Sequence, residues 1–314
     1  MGRFRAVASP LLAVLVMSAL APAVAQAQTK VTVGYGIASD FLAVLTARDE
    51  GIFAKHGLEV EMTAFTNGGL TPQALVSGAA QIAFNTGPVL VLAKDGGLDL
   101  VVFAGLSRIQ KANPHSALVT RAGFTVTGPT DLIGKRIADP GINSSLDLVM
   151  KKWLVDGGVQ LNQVTVVELP FQLMGDNLKS SQIDAAFPVQ PMLGRIVESG
   201  AGTKSVDIQS AVNPDFAATF WSSTREWATA HPQAIEGFRA SLADALKYID
   251  EHPDDAKQLS LKYFHNYDPS PPQSSLAINP KDLQFWADIC KQLNLTHQPI
   301  DMASTILPGT PIAK

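Results

Sequence analysis

The sequence has little cysteine and lacks the motifs that mark common enzyme classes. Cys290 is the single cysteine in 314 residues, so the chain cannot form an internal disulfide. There is no H-E-x-x-H, no G-x-S-x-G, no Walker A loop and no Cys/His cluster with zinc spacing. We therefore predict a protein that is not an enzyme and that holds no metal or cofactor. Cys290 falls in a helical pattern at 283–290, which predicts a buried structural thiol rather than a nucleophile.

Charged residues are also scarce, at 17% of the chain. Without Arg3 and Arg5, which belong to the leader described next, 22 basic residues face 28 acidic ones, a net charge of −6. This balance argues against nucleic acid and anionic membrane surfaces as partners. The six histidines are scattered, and we expect each at the surface or at a helix boundary: His56, His115, His231, His252, His265 and His297.

One long apolar run is present, and it lies at the N-terminus. Arg3 and Arg5 precede an apolar stretch at 7–20, and Ala25-Gln26-Ala27 has the pattern of a signal-peptidase site. The run is shorter than the roughly 20 residues that a membrane-spanning helix needs. The pattern predicts a signal peptide at 1–27, cleaved to release a freely diffusing mature chain in the periplasm.

The rest of the chain alternates strand-like and helix-like segments, which is typical of an α/β fold with mostly parallel strands. One series runs from 31 to 104, with its last strand predicted at 98–104, and a second runs from about 130 to 198. A returning strand is predicted at 219–222 and a long helix at 232–251, where Ile235, Phe238 and Leu242 recur at helical spacing.

The two series share a weak repeat at an offset of 103 residues. The matching positions are Leu75-Val76-Ser77 with Leu178-Lys179-Ser180, Ala83-Phe84 with Ala186-Phe187, Pro88 with Pro191, and Gly97 with Gly200. A helix, a turn, a strand and a proline-started helix thus recur in the same order. The repeat predicts two lobes of similar build with a cleft between them.

Six polar turns follow predicted strands, at 39–41, 67–69, 85–87, 105–107, 141–145 and 187–191. In α/β sheets, ligands bind outside the carboxyl ends of the strands, where helix N-termini present free N–H groups. Helix capping is the simpler interpretation of any one turn, but a cleft requires all six to converge. The candidate ligand-binding residues are Ser39, Asp40, Phe41, Asn67, Asn85, Thr86, Ser107, Asn143, Ser144, Ser145, Gln190 and Trp221.

Several segments resemble a known family of binding proteins. They are Val33-Gly34-Tyr35, the run from Gly51 to Val60, Gln73 to Gly78, Asp131 to Ala138, Ile183 to Phe187, and Thr224 to Trp227. In this order and spacing the chain resembles the alkanesulfonate-, taurine- and nitrate-type solute-binding proteins of ABC transporters. That group also includes binders of a pyrimidine precursor of thiamine.

The resemblance implies a type II periplasmic binding fold with a ligand cleft between two α/β lobes. One lobe is expected from 28–120 and 219–314 and the other from 121–218, with crossovers near 118–121 and 216–221. The closed form of such a protein, acting as a monomer, docks on an ABC permease in the inner membrane. Gln190 stands where the family often has Glu, and Ser181 where it often has Gly.

The leading functional hypothesis is a binder of a small organic anion, such as a sulfonate or carboxylate, held by helix N-termini. Asp40 opposes a simple anion unless its carboxylate caps the following helix. A neutral or amine-bearing heterocycle, such as a thiamine-precursor pyrimidine, is therefore the alternative ligand. A periplasmic enzyme is the alternative from a different class.

Overall fold

The computed structural model describes residues 1–2, 28–66, 68–112, 114–265 and 274–313. The predicted signal peptide lies outside the described residues, apart from Met1 and Gly2, and its cleavage stays a prediction. None of the helices found in the described ranges is long and apolar enough to cross a membrane.

The described residues form strands and helices in close alternation. The strands are β1 (Thr29–Tyr35), β2 (Leu58–Ala64), β3 (Ile82–Thr86), β4 (Leu100–Gln110), β5 (Val119–Thr120), β6 (Arg136–Asp139), β7 (Thr165–Glu168), β8 (Ala185–Ala186), β9 (Thr203–Lys204) and β10 (Asp215–Thr224). The helices are α1 (Leu42–Asp49), α2 (Ile52–Lys55), α3 (Thr71–Val76), α4 (Gly87–Asp95), α5 (Ser145–Asp156), α6 (Phe171–Lys179), α7 (Met192–Glu198), α8 (Ile208–Val212), α9 (Arg225–Ala230), α10 (Pro232–Glu251), α11 (Pro253–Phe264) and α12 (Pro280–Gln292).

The strands form two five-stranded sheets in which equivalent strands occupy equivalent positions. The first has the order β2-β1-β3-β10-β4 and the second the order β7-β6-β8-β5-β9. In each sheet three parallel strands are followed by an antiparallel one. The 103-residue repeat falls on equivalent units, because α3, β3 and α4 correspond to α6, β8 and α7. The weak sequence signal therefore reflects two similarly built halves.

The chain passes between the sheets twice, a few residues earlier than predicted. It leaves the first sheet after Gln110, enters the second at Val119, leaves it after Lys204 and returns at Asp215. The return strand begins before the predicted 219 because β10 pairs with β4 as far as Asp215 and Gln110. At this end of the β4–β10 pair, the Arg108 Nε atom lies 2.6 Å from the Asp215 carboxylate. The lobe limits at 120 and 218 stay a proposal.

The core explains why these segments fold as they do. The first eight residues of β4 are all buried, as expected of a strand covered on both faces. Helix α10 has the predicted bounds and buries Ile235, Phe238 and Leu242 at helical spacing. Cys290 is buried as predicted, and burial, aided by the charge of Asp95, raises the pKa of its thiol to about 12.

Helix α12 packs against α4, below the first sheet, and also against α5, which follows the second. The Trp286 indole N–H donates to the Ala217 carbonyl at 2.8 Å. At the far end Gln292 hydrogen-bonds Asp156 and Lys152 of α5. The two sheets are therefore joined by packing of their helices against α12 as well as by the two crossovers.

We predict that Ser181→Gly stabilises the protein by about 0.5–1 kcal/mol, because Ser181 has φ +58°, a left-handed conformation that favours glycine. Its repeat partner Gly78 has φ +76°, so Gly78→Ala should destabilise by a similar amount. Urea denaturation of the two variants checks the signs. A loss of stability in Ser181→Gly would contradict this account.

Candidate ligand-binding cleft

A cavity with about 1060 Å³ of empty space, part of it open to solvent, lies between the carboxyl edges of the two sheets. All six polar segments singled out in the sequence contribute residues to its wall. These residues are Asp40 and Phe41, Gly68 and Gly69, Thr86, Ser107, Gly141 with Ile142, Ser144 and Ser145, and Val189.

The segment at 105–107 is a strand rather than a turn. The predicted strand at 98–104 continues as β4 to Gln110, so Ser107 lies within the strand. Its N–H and hydroxyl both contact the Thr219 hydroxyl, at 3.1 and 2.6 Å. The strand extends because β10 supplies it with an antiparallel partner, and Ser107 faces the cavity from a sheet rather than from a helix start.

The second sheet presents the start of α5 to the cavity. Ser144 is its N-cap: the Ser144 hydroxyl accepts from the Asp147 N–H at 3.2 Å and donates to Asp139 at 3.3 Å. The first N–H groups of a helix, here those of Ser145 and Leu146, have no acceptor within the helix. Both residues line the cavity. The start of α5 therefore offers two N–H donors to the cavity, and the positive end of the helix dipole lies behind them.

The start of α4, which follows β3 of the first sheet, also reaches the cavity. Unlike α5, it has no side-chain capping hydrogen bond. Thr86 is the N-cap residue, yet its hydroxyl makes no capping hydrogen bond and has no partner among the described residues. The second helical residue is Pro88, which has no N–H, so Val89 carries the remaining capping donor. Thr86 and Val89 both line the cavity.

Four phenylalanines form much of the apolar wall. Phe41, Phe65 and Phe84 come from the first half of the chain and Phe171 from the start of α6. The Phe41 and Phe84 ring centroids lie 4.9 Å apart, edge to face. Gly36 makes room for this packing, since a Cβ there would lie 2.7 Å from the Phe41 ring.

Asp40 and His115 form a buried ion-pair contact in the cavity wall. The Asp40 Oδ1 and His115 Nε2 atoms lie 2.9 Å apart, and the side chains are 11% and 3% exposed. Burial acts to raise the pKa of Asp40, but the charge of His115 and hydrogen bonds from His115 and Ser107 outweigh it and hold that pKa below its ordinary value. Asp40 does not cap the following helix: it lies inside the short 3₁₀ helix Ser39–Phe41, and the N-cap of α1 is Phe41, with no side-chain capping hydrogen bond.

Sequence reasoning missed two residues on the crossovers. His115 was expected at the surface or a helix boundary, but it is buried on the outgoing crossover. Gln209, on the returning crossover, lines the cavity beside it and accepts a hydrogen bond from the Ser116 hydroxyl. Neither belongs to a motif, so only the tertiary structure brings them to the cleft.

Five other candidate residues do not line the cavity. The Asn85 amide is buried between the hydroxyls of Thr71 and Ser222. Trp221 packs behind Phe41, with ring centroids 6.0 Å apart, and Ser39 is buried. In the second half, Asn143 has its N–H bound to Asp147 and Gln190 accepts from the Gly194 N–H.

Asn67 lies outside the described residues. Among the lining residues, all of them in the described part of the chain, none is lysine or arginine. Within the described residues no group of three or more His, Cys, Asp and Glu side chains is placed to hold a metal ion.

Comparison with known proteins gives a family and a fold. Residues 38–256 match the family described as NMT1/THI5 like. The taurine-binding periplasmic protein of Escherichia coli (strain K12) is 30% identical over 245 residues, which cover 76% of this chain and 72% of that protein.

Among solved structures, the periplasmic aliphatic sulphonate binding protein of Escherichia coli superposes with a TM-score of 0.75 at 17% identity, covering 90% of this chain and 99% of that one. The desulfurization enzyme DszB shares the architecture, with a TM-score of 0.66 at 13% identity, covering 90% of this chain and 97% of the enzyme's. The predicted type II periplasmic binding fold is thus confirmed, and the same architecture also supports an enzyme.

We predict that Thr86→Val leaves the melting temperature of the ligand-free protein unchanged or slightly raised, because the hydroxyl it removes is buried without a partner. The matched control is Thr224→Val at the start of α9, where the threonine hydroxyl accepts from the Trp227 N–H at 3.2 Å. That control should cost about 1 kcal/mol. Equal losses in the two variants would show that Thr86 caps its helix.

We also predict that Asp40→Asn destabilises the protein by about 1–3 kcal/mol near neutral pH, since it removes a buried ion-pair partner. The pKa of Asp40 is below its ordinary value of 3.8 in the folded state. Its contribution to stability is therefore complete above that value and is lost as the pH falls through the folded pKa. Denaturation from neutral to acid pH should show the two proteins converge. Exposed Asp250→Asn is the control, and a constant difference across this range would refute the assignment.

Proposed function

The chain belongs to the NMT1/THI5-like family, and we propose that it is the substrate-binding protein of an ABC importer for a small organic anion, a sulfonate or carboxylate. In this proposal residues 1–27 direct export, and the mature monomer binds its ligand in the periplasm and delivers it to the permease. The taurine-binding relative is a periplasmic protein of this kind.

One observation carries the proposed ligand class. The start of α5, where Ser145 and Leu146 line the cavity, faces a wall that includes Phe41 and Phe84. An anionic head accepts hydrogen bonds from helix N-terminal N–H groups and gains from the helix dipole. The organic remainder of the same molecule gains by displacing water from the phenylalanine rings.

A second ligand class is favoured by the charges of the wall. Asp40 is the one carboxylate among the lining residues, and no lysine or arginine of the described chain lines the cavity. An amine-bearing heterocycle would use the Asp40 carboxylate and stack on the phenylalanines. This second candidate predicts that removing the Asp40 charge weakens binding, whereas an anion gains from its removal.

We further propose that residues 28–120 with 219–314 and residues 121–218 act as two lobes that close on the ligand. The ligand favours the closed state to the extent that it binds that state more tightly. Contacts from Thr86 on one side and Ser145 on the other would supply this difference.

The test compares two changes at one residue. Ser145→Pro removes the N–H at the first position of α5, a position where proline fits, and Ser144 before it already has the extended backbone (φ −70°, ψ 170°) that proline requires. Ser145→Ala removes only the hydroxyl and is the matched control. Calorimetry with ethanesulfonate, benzenesulfonate, benzoate and 4-aminopyrimidine identifies a binding probe.

We expect Ser145→Pro to weaken binding of an anion roughly tenfold or more, since a hydrogen bond to a charged group contributes about 1.5–3 kcal/mol. Ser145→Ala should have a smaller effect and Asp40→Asn should strengthen anion binding. Binding of 4-aminopyrimidine that Asp40→Asn abolishes would establish the second ligand class instead. Turnover of any probe by the purified protein would refute a binding protein.

A further inference from the structure

Two buried carboxyl groups lie beneath the loop at 140–144 that leads into α5. Asp139 ends β6 and Asp147 belongs to the first turn of α5, and both side chains are fully buried. Asp139 Oδ1 accepts from the Gly141 N–H at 2.9 Å and from the Ser144 hydroxyl at 3.3 Å. Asp147 Oδ2 accepts from the Asn143 N–H at 2.7 Å. The hydrogen bonds to the two carboxyl groups thus hold three of the five residues of the loop, Gly141, Asn143 and Ser144.

The loop includes one residue in a left-handed conformation. Asn143 has φ +63°, which asparagine adopts more readily than most residues that carry a Cβ. The Asn143 N–H bond to Asp147 and the bonds of Gly141 and Ser144 to Asp139 hold the loop in this conformation. Six residues of this region line the cavity: Pro140, Gly141, Ile142, Ser144, Ser145 and Leu146. The shape of the ligand-facing surface therefore depends on carboxyl groups that the ligand does not touch.

One lysine, Lys151, lies beside the two carboxyl groups of Asp139 and Asp147. Lys151 Nζ lies 2.6 Å from Asp147 Oδ2, one turn along α5. Burial and the charge of Asp147 raise the pKa of Asp139 well above its ordinary value, against the opposing effects of the Gly141 N–H, the Ser144 hydroxyl and Lys151. Glu168 of β7, in register with Asp139, is the neighbouring acid on the adjacent strand.

We infer that Asp139 and Asp147 are positioning residues for the ligand, which hold the loop at 140–144 so that the first N–H groups of α5 face the cavity. This inference rests on the proposed binding function of the cleft. Ionisation of Asp139 places a second buried negative charge beneath the loop, where it loosens the loop and repels an anionic ligand.

The sign of the pH effect follows from the direction of the shift. The folded protein binds the Asp139 proton more tightly than the unfolded chain does. The free energy of unfolding should therefore fall as the pH rises from the ordinary value of 3.8 through the folded pKa of Asp139. Ligand affinity should fall over the upper part of the same range.

The key variant is Asp139→Asn, which mimics the protonated carboxyl group and keeps an acceptor for the Gly141 N–H. The control is Asp184→Asn, a buried aspartate directly before β8 whose carboxylate pairs with Arg121 at 3.0 Å, away from the cavity wall. Melting temperatures of the ligand-free proteins are measured from about pH 5 to pH 9. Hydrogen exchange is followed on the peptide that covers 140–146, in these variants and in Asp139→Leu and Asp147→Ala.

We expect the melting temperature of Asp139→Asn to rise relative to the wild type as the pH increases, and its loop amides to stay protected. Asp139→Leu and Asp147→Ala should exchange those amides at least roughly tenfold faster, because the loop loses its acceptors. Asp184→Asn should lower the melting temperature without altering the pH dependence or the loop exchange. If Asp139→Asn follows the wild-type pH dependence, or if Asp139→Leu and Asp147→Ala leave the loop amides protected, the inference is wrong.

Binding of benzenesulfonate provides a separate measurement. Wild-type affinity should fall as the pH rises from about 6 to about 9, and it should fall by more than that of Asp139→Asn, which retains only the pH dependence of other groups such as His115. An Asp139→Asn variant that folds normally but no longer binds would show that the ionised carboxylate is required, which overturns the inference. If benzenesulfonate binds none of the proteins while the melting and exchange results hold, the loop assignment stands and the anion proposal fails.

Discussion

The return of β10 into the middle of the first sheet is the constraint on which the rest of the structure depends. β10 lies between β3 and β4 and pairs with both, so the first sheet is complete only after the chain has built the second. The two crossovers must therefore run side by side, and Lys111 and Pro214 are hydrogen-bonded at 2.8 Å where they do. This arrangement turns the carboxyl edges of both sheets toward each other. It also places His115 and Gln209 at the base of the cavity.

The helix that starts on each side of the cleft is capped differently. Each side ends a parallel strand at a helix start, because the carboxyl ends of parallel strands and the following helix N-termini share one edge. The α5 start is closed by Ser144, which is held by Asp139. The α4 start is left open at Thr86, which lacks a capping bond. A ligand spanning the cleft would thus meet one rigid polar surface and one with an unused hydrogen-bonding group.

The electrostatics of the cleft come from buried groups rather than from surface charge. Asp40 is balanced by His115 within the wall, and Asp147 by Lys151 behind it. Because the lining residues include no lysine or arginine and His115 is paired with Asp40, we expect attraction for an anion to come mainly from helix dipoles, backbone N–H groups and hydroxyl groups. Such groups are fixed in direction by the fold, so they select a ligand by shape and hydrogen-bond geometry more than by net charge.

The sequence by itself determined the elements, the family resemblance, the repeat and the six segments that reach the cavity, because strand and helix periods and turn residues are local properties. It did not determine which side chains in those segments face the ligand. Asn85 and Trp221 carry suitable chemistry but turn into the core, while His115 and Gln209 carry no signal and reach the wall. The strand pattern also predicted the end of β4 too early, at 104, because the strand continues only through pairing with β10, more than a hundred residues later. Side-chain direction and the partners of a strand are decided by long-range contacts, and only the tertiary structure supplies them.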